Sequence, residues 1–267
     1  MPQQTLNQAR LNVVESGTGP ETLVLLHGLL FSQRMFDAQA DALGSRFRCV
    51  RMDFRGQGES EVTRSGYDLD TLAEDVIALI ESLDGAPVHL LGFSMGGMVA
   101  QRVALKRHDL LRSLALMNTS AERERWTKRP RFALLNLAAR LLGLEKVAPR
   151  ILPLLFSKSF ITDPESRDER RRWLAMVTAN DRIGASRAVR GVVSRKPILD
   201  RISGIRLPTL VVTADRDRAT SPQRAMNIHQ RIDGSRLVTI EGSGHMTVAE
   251  KPDKINRVLE DFYASLA

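Results

Sequence analysis

The stretch Val88-His-Leu-Leu-Gly-Phe93, followed directly by Ser94-Met-Gly-Gly97, decides the predicted fold. The first six residues form a short apolar run that is typical of a buried parallel strand, and a helical pattern begins at Gly96. In this strand–turn–helix context, the pattern G-x-S-x-G describes a sharp turn that presents the serine hydroxyl at the top of a sheet. We therefore predict that Ser94 is a nucleophile. The alternative without a catalytic role is a glycine-rich turn with a solvated serine.

Apolar runs and helical patterns alternate on both sides of this turn. Five further strands are predicted at residues 22–27, 47–52, 114–118, 209–213 and 236–240, with a weaker pattern at 10–15. Helices are predicted at 34–43, 96–106, 222–231 and 252–265, and another opens at Asp70-Thr71, where Thr71 and Glu74 have capping-box spacing. Such alternation predicts an α/β fold with a mostly parallel, doubly wound sheet.

The alternation stops between residues 121 and 205. Four helical patterns occur there, at 132–143, 146–156, 168–177 and 184–193, and no strand pattern separates them. We predict that residues 1–120 and 206–267 form the α/β core and that 121–205 form an inserted helical cap.

The positive charge is confined to the same segment. The 267 residues carry a net charge of +8, but residues 121–205 hold 19 basic and 9 acidic residues, so the rest of the chain is slightly acidic. A basic balance can indicate nucleic acid, an anionic membrane surface or an acidic substrate. Since the core is near neutral and carries no recognised nucleic-acid module, we expect no nucleic-acid partner.

Other classes of protein are excluded by what the sequence lacks. It has no signal-peptide pattern and no apolar run long enough for a membrane span, so a cytoplasmic protein is expected. A single cysteine, Cys49, excludes an internal disulfide and predicts a small core residue. Glu61 stands where a dinucleotide-binding G-x-G-x-x-G would need its third glycine. We predict neither a metal nor an organic cofactor, and the sequence does not predict the oligomeric state.

A serine nucleophile needs a base and an acid. His245 lies in a loop after the last predicted strand, at the carboxyl edge where open α/β sheets place their sites. The acid should follow an earlier strand, because the chain order in such sites is serine, acid, histidine. The strand at 209–213 leads to both Asp215 and Asp217, and we favour Asp217.

Four motifs, which lie on both sides of the insertion and follow one another along the chain as in the family, resemble those of the α/β-hydrolase superfamily. The pattern G-x-G-H-x-x-x-x-E-x-P is matched at 242–252, D-x-R-G-x-G-x-S at 53–60, and H-G at 27–28, beside the serine motif. In the G-x-x-D that carries the family's acid, Ala214 replaces the glycine and Asp217 takes the acid position.

This resemblance implies an α/β-hydrolase fold and a serine hydrolase of the esterase, enol-lactone hydrolase or cofactor-free haloperoxidase-like group. It implies a catalytic triad of Ser94, Asp217 and His245, and an oxyanion hole formed by the backbone N–H groups of Leu29 and Met95. The expected reaction is hydrolysis of a small-molecule carboxylic ester through an acyl-enzyme.

Two alternatives stay open. One is an enol-lactone hydrolase that acts on a carboxylate-bearing lactone held by the basic cap, and the other is a triad-bearing signalling or receptor protein with slow turnover. Large apolar side chains of the cap either line an acyl pocket or hold the cap helices together. These are Trp126, Phe132, Leu135, Leu142, Phe156, Phe160, Trp173 and Met176.

Overall fold

A single eight-stranded sheet organises the chain in the computed structural model, which describes residues 3–266. The strands are β1 (Gln3–Leu6), β2 (Ala9–Ser16), β3 (Glu21–Leu26), β4 (Phe47–Met52), β5 (Val88–Phe93), β6 (Leu111–Met117), β7 (Thr209–Ala214) and β8 (Arg236–Ile240). Their order across the sheet is β1-β2-β4-β3-β5-β6-β7-β8. The central position of β5 places the turn after it in the middle of the carboxyl edge.

Six of these strands run parallel, and the two N-terminal strands do not. β2 pairs antiparallel with β4, and β1 pairs antiparallel with β2. The parallel sheet predicted from the alternating pattern is therefore correct for β3 to β8. β1 was not predicted, because four residues with a single buried side chain carry too little periodicity.

Helices cover both faces of the sheet. They are α1 (Asp37–Leu43), α2 (Leu69–Ser82), α3 (Met95–Lys106), α4 (Arg129–Leu142), α5 (Leu144–Leu155), α6 (Lys158–Thr162), α7 (Arg167–Thr178), α8 (Arg182–Val193), α9 (Pro222–His229), α10 (Thr247–Glu250) and α11 (Pro252–Ala264). α2, α3 and α9 pack on one face, and α1 and α11 on the other. Within β3, Val24 and Leu26 face the first group whereas Leu23 and Leu25 face the second, as the two-residue period of a strand requires.

The start of α2 differs from the prediction. Asp68 is the N-cap, and its carboxylate accepts hydrogen bonds from the Thr71 N–H at 3.0 Å and the Thr71 hydroxyl at 2.7 Å. The predicted capping box of Thr71 and Glu74 is therefore wrong: Glu74 instead pairs with Lys106 on α3. Aspartate and threonine are both good N-cap residues, so the sequence is compatible with a helix that starts after Asp68 or after Thr71.

Between β6 and β7 the chain forms five helices, α4 to α8, and no strand. Four correspond to the helical patterns in the sequence. The fifth, α6, is too short to show a helical period and is capped by Ser157, whose hydroxyl accepts from the Phe160 N–H at 3.2 Å. Trp173 and Val177 of α7 are buried against the core, which attaches this helical segment to the sheet.

The turn after β4 is held by buried carboxylates. Asp53 accepts from the Gln33 N–H at 2.6 Å and from the Asn12 amide at 2.8 Å, which joins this turn to the segment after β3 and to strand β2. Arg55 makes two hydrogen bonds of 2.6 Å to the buried carboxylate of Asp75 on α2. The D-x-R-G motif therefore has a structural role beside the site and supplies no group to it.

Candidate active site

Ser94 occupies the single residue between β5 and α3. Its φ of 52° and ψ of −112° lie in a region that non-glycine residues rarely adopt. The strained conformation is held by the sheet, because the Ser94 N–H donates to the Met117 carbonyl of β6 at 2.8 Å. The side chain consequently projects from the carboxyl edge at the N-terminus of α3.

The two flanking glycines are required by this turn. A Cβ at Gly96 would lie 2.0 Å from the Leu26 carbonyl oxygen, and a Cβ at Gly92 would lie 2.4 Å from the Gly96 carbonyl oxygen. Since both obstacles are backbone atoms, they cannot move aside as a side chain could. The spacing of glycines in the sequence therefore follows from the close approach of β3, β5 and α3.

His245 lies in the loop between β8 and α10, and its imidazole joins two of the predicted site residues. Its Nδ1 is 2.8 Å from Oδ2 of Asp217, and its Nε2 is 2.9 Å from Oγ of Ser94. Because a carboxylate only accepts hydrogen bonds, Nδ1 carries the proton and the neutral ring has a free lone pair on Nε2 that can accept the Ser94 hydroxyl proton. The ring of Phe93 packs against the imidazole, with centroids 5.1 Å apart.

Asp217 is buried and fully hydrogen-bonded. Its Oδ1 accepts from the N–H groups of Ala219 and Thr220 at 2.9 and 2.8 Å. Besides His245, its Oδ2 accepts from the Thr220 hydroxyl at 2.9 Å and the Asn118 amide at 3.0 Å. Burial favours a raised pKa, but the electrostatic interaction with His245 and these hydrogen bonds outweigh it and hold the pKa of Asp217 below its ordinary value. The carboxylate is therefore kept ionised beside the imidazole.

Asp215, the alternative acid, points elsewhere. Its side chain is 40% exposed and lies 3.8 Å from the guanidinium of the neighbouring Arg216. The geometry therefore brings Asp217, and not Asp215, to His245.

Two residues beside the serine have unpaired backbone N–H groups. In the described chain, the N–H groups of Leu29 and Met95 have no hydrogen-bond acceptor, and both residues line the cavity that contains Ser94. Neighbouring amides are occupied: Gly96 N–H donates to His27 O, and Leu30 N–H donates to the Gln57 side chain. An oxyanion hole requires unpaired N–H donors beside the nucleophile, and these two residues provide them.

The Leu29 turn is fixed by two residues that the sequence analysis missed. Leu30 has a φ of 67°, in the left-handed region. The Gln57 side chain accepts from the Leu30 N–H at 2.7 Å, and the Asn180 amide after α7 donates to the Leu30 carbonyl at 2.8 Å. Gln57 occupies a variable position of its motif and Asn180 lies in no motif, so no sequence signal indicated either.

A third missed contact ties the His245 loop to the helical segment. The carboxylate of Glu250 accepts from the N–H groups of Gly244 and Ser157, each at 3.0 Å, and from the Ser157 hydroxyl at 2.5 Å. Burial raises the pKa of Glu250 and outweighs these hydrogen bonds. Glu250 belongs to a motif that the sequence displays, but its partner Ser157 lies 93 residues away.

A cavity of about 290 Å³ opens beside Ser94 and His245. Its wall is mostly apolar and comes from α4, α5 and α8 together with the turns after β3 and β5. Of the eight large cap side chains considered from the sequence, Phe132 and Leu135 line it. Trp126 and Leu142 are exposed, and the rest pack into the core beneath the helices: Phe156, Phe160, Trp173 and Met176.

Residues 3–266 provide neither a metal-binding group of side chains nor a membrane-spanning helix. That range contains no group of three or more histidine, cysteine, aspartate or glutamate side chains arranged to hold a metal ion. None of its helices combines the length and apolar character needed to cross a bilayer. Cys49 is buried in β4, and burial raises the pKa of its thiol to about 11, which fits the predicted core residue.

Comparison with known proteins agrees with this architecture. A sequence model described as the alpha/beta hydrolase family matches residues 23–258. An AB hydrolase superfamily protein of Bacillus subtilis, YisY, is 30% identical, with 97% of each chain covered. The structure of a thermophilic esterase from Thermogutta terrifontis superposes with a TM-score of 0.89 at 26% identity, covering 97% of this chain and 94% of the esterase. An enol-lactonase from Burkholderia xenovorans superposes with a TM-score of 0.91 at 25% identity, covering 98% and 100%.

These similarities confirm the α/β-hydrolase fold predicted from the motifs. The family match extends from β3 into α11, so it includes Ser94, Asp217 and His245 as well as the helical segment between β6 and β7. The chain belongs to the alpha/beta hydrolase family.

Proposed function

We propose that this protein hydrolyses carboxylic esters through a Ser94–His245–Asp217 triad and an acyl-enzyme intermediate. The observation that carries the proposal is the continuous chain of two hydrogen bonds, 2.9 and 2.8 Å long, from the Ser94 hydroxyl through His245 to Asp217. In an apolar cavity, such a chain makes a weak nucleophile reactive without any cofactor.

In the first step, Nε2 of His245 removes the proton from Ser94 as Oγ forms a bond to the carbonyl carbon of the ester. The carbonyl π electrons move to oxygen, and the Leu29 and Met95 N–H groups hold the resulting oxyanion. When the tetrahedral intermediate collapses, the C–O bond to the alcohol breaks and the proton on Nε2 passes to the leaving oxygen.

In the second step, water replaces the alcohol. His245 takes a proton from the water as the water oxygen attacks the acyl carbon. The bond between the acyl carbon and Oγ of Ser94 then breaks, the proton on Nε2 passes to Oγ, and the acid product leaves. The ionised Asp217 holds the imidazole in the productive tautomer and stabilises its positive charge in both steps.

The cavity wall supports an aliphatic substrate. Side chains that face the cavity from the helical segment are mainly leucine, valine, isoleucine and alanine. Arg195 also lines the cavity, but its charge is balanced by Glu124, whose Oε2 lies 3.3 Å from the guanidinium. An apolar acyl or alcohol group can therefore be buried there with a gain of about 0.8 kcal/mol per methylene.

A second candidate is hydrolysis of a lactone that carries a carboxylate. Arg131 and Arg218 line the same cavity and form no ion pair with any carboxylate of residues 3–266. A free guanidinium at the cavity could bind a substrate anion. Similarity to an enol-lactonase structure also supports this candidate.

The decisive experiment is turnover of p-nitrophenyl esters and of lactones, compared between the unchanged protein and Ser94→Ala. We expect saturable ester hydrolysis, a loss of about 10⁴-fold or more in kcat in the variant, and labelling of Ser94 by a fluorophosphonate. Ser203→Ala is the matched control, because Ser203 is exposed far from the cavity lining. Normal turnover in Ser94→Ala would refute the proposal. Labelling of Ser94 with only a single slow turnover on every substrate would favour a receptor-like role instead.

A further inference from the structure

An unusual surface lies on the outside of α4, the helix that covers the cavity. Five of the seven exposed large apolar side chains of the described chain occur in residues 126–142. They are Trp126, Leu134, Leu137, Leu141 and Leu142, with exposed fractions of 79%, 68%, 53%, 65% and 66%. Isolated exposed leucines are ordinary, but five exposed large apolar side chains within 17 residues of sequence indicate an interaction site.

The leucines form one row on the outer face of the helix. Leu134, Leu137 and Leu141 are spaced by three and four residues, so their side chains lie above one another on α4. The opposite face of the same helix lines the cavity with Phe132, Leu135 and other residues. α4 is thus apolar on both sides although only one side is covered by protein, and a surface helix normally has a polar outer face.

Positive charge borders the row. Residues 123–142 contain six basic residues and a single acidic one, Glu124, which is buried against Arg195. Arg131 and Arg140 flank the leucine row on opposite sides by helical spacing, and both are exposed. Neither forms an ion pair with a carboxylate of the described residues, and the same holds for the exposed Arg123 and Arg125.

We propose that residues 123–142, the α4 face, bind the surface of an anionic lipid bilayer. A helix that presents leucines between arginines, preceded by an exposed tryptophan, fits the boundary between acyl chains and negatively charged headgroups, where it lies in the plane of the surface without crossing it. A second copy of this chain would place one arginine-rich face against another.

Binding of the α4 face to a bilayer would place the cavity beside the membrane lipids, which are apolar esters. The α4 residues that enter the cavity and those that would enter the bilayer are separated only by the width of one helix. The proposal itself does not depend on hydrolysis, since binding is measured without turnover.

The test is co-flotation of the protein with vesicles of phosphatidylcholine alone or mixed in equal amounts with phosphatidylglycerol. We expect binding to the anionic vesicles only, and a strong decrease in about 1 M salt, where the screening length falls to about 3 Å. The combined variant Leu134→Ser, Leu137→Ser and Leu141→Ser should lower the partition coefficient at least about tenfold. The double variant Arg125→Glu with Arg140→Glu should lower the partition coefficient about fivefold or more for each arginine replaced.

Two controls keep the test independent of folding. Val62→Ser with Met226→Ser removes exposed apolar side chains elsewhere on the surface and should leave vesicle binding unchanged. The melting temperature of the leucine variant, followed by circular dichroism, should equal that of the unchanged protein. Absence of binding by the unchanged protein, equal binding to neutral vesicles, or full binding by the leucine variant would each overturn the proposal. Sedimentation showing a dimer that the leucine variant abolishes, without vesicle binding, would assign the face to a second copy.

Discussion

Glu250 and Ser157 hold the His245 loop to the helical segment across 93 residues of chain. The carboxylate of Glu250 accepts both the N–H and the hydroxyl of Ser157, and it also accepts the N–H of Gly244, which precedes His245. One half-buried side chain thus fixes both the covering helices and the loop that carries the proposed base.

Replacement of Glu250 by alanine should destabilise the protein and disturb the site. Two buried N–H groups, of Ser157 and Gly244, would lose their acceptor at a cost of about 1–3 kcal/mol each. We expect a correspondingly lower free energy of unfolding in urea and a lower kcat for ester hydrolysis. Glu250→Gln is the matched control, because its amide oxygen can accept both N–H groups while its NH₂ donates to the Ser157 hydroxyl. Equal stability of the two variants would contradict this role.

Asp217→Asn should lower kcat by about 10⁴-fold with little change in KM, because an amide can present the wrong partner to Nδ1 of His245 and cannot stabilise the imidazolium. Asp215→Asn is the control and should retain turnover, since that carboxylate is exposed and lies beside Arg216. The measurement is p-nitrophenyl ester hydrolysis under saturating substrate. If Asp215→Asn were the inactive variant, the acid would have to be reassigned.

Protonation of Asp217 should weaken the fold in acid. Burial favours a raised pKa for this carboxyl. The electrostatic interaction with His245 and the hydrogen bonds that Asp217 accepts outweigh burial, so the pKa of Asp217 lies below its ordinary 3.8. A folded-state pKa below that of the unfolded chain gives stability that is present above the unfolded pKa and is lost as pH falls through the folded pKa.

We therefore expect the unchanged protein to lose stability relative to Asp217→Asn as the pH falls below about 4. Urea unfolding of both proteins between about pH 6 and pH 3 measures the difference. A stability difference that stays constant over this range would show that Asp217 has the same pKa in the folded and unfolded states.

Filling the cavity from α4 should shorten the acyl chains that the protein accepts. Leu135 faces the cavity, so Leu135→Trp should lower kcat/KM for a p-nitrophenyl octanoate by about tenfold or more, given the 1–3 kcal/mol cost of overpacking. Hydrolysis of the acetate should change little, because its acyl group stays close to Ser94. Met226→Trp, on the exposed side of α9, is the control. A uniform loss on both esters in Leu135→Trp would indicate general misfolding and not a filled acyl pocket.

Local patterns were sufficient for most of the α/β core. The buried parallel strands β3, β5 and β7 appear in the sequence as continuous apolar runs, and the G-x-S-x-G turn marks where β5 meets α3. These features depend on residues that are close in sequence, so their periodicity and spacing are visible before folding. The short elements β1 and α6 escaped because four or five residues do not define a period.

The contacts that complete the candidate site are of another kind. Gln57, Asn180 and Ser157 act through hydrogen bonds to residues between 27 and 150 positions away, and no local pattern identifies such partners. Asn118 and Thr220, which hold Asp217, likewise lie in no recognised motif.

By itself, the sequence determined which residues could act as nucleophile and base. The local spacing of glycines marks the turn that carries Ser94 and the loop that carries His245. The sequence favoured Asp217 over Asp215 through the family motif, and the tertiary structure brings Asp217 and not Asp215 to His245, because two carboxylates that are two residues apart after the same strand differ in where the folded loop directs them. The tertiary structure also decided that α4 covers the cavity with one apolar face and leaves the other exposed. Apolar residues on both sides of a helix predict burial on both, and only the packing of the neighbouring helices reveals which face remains uncovered.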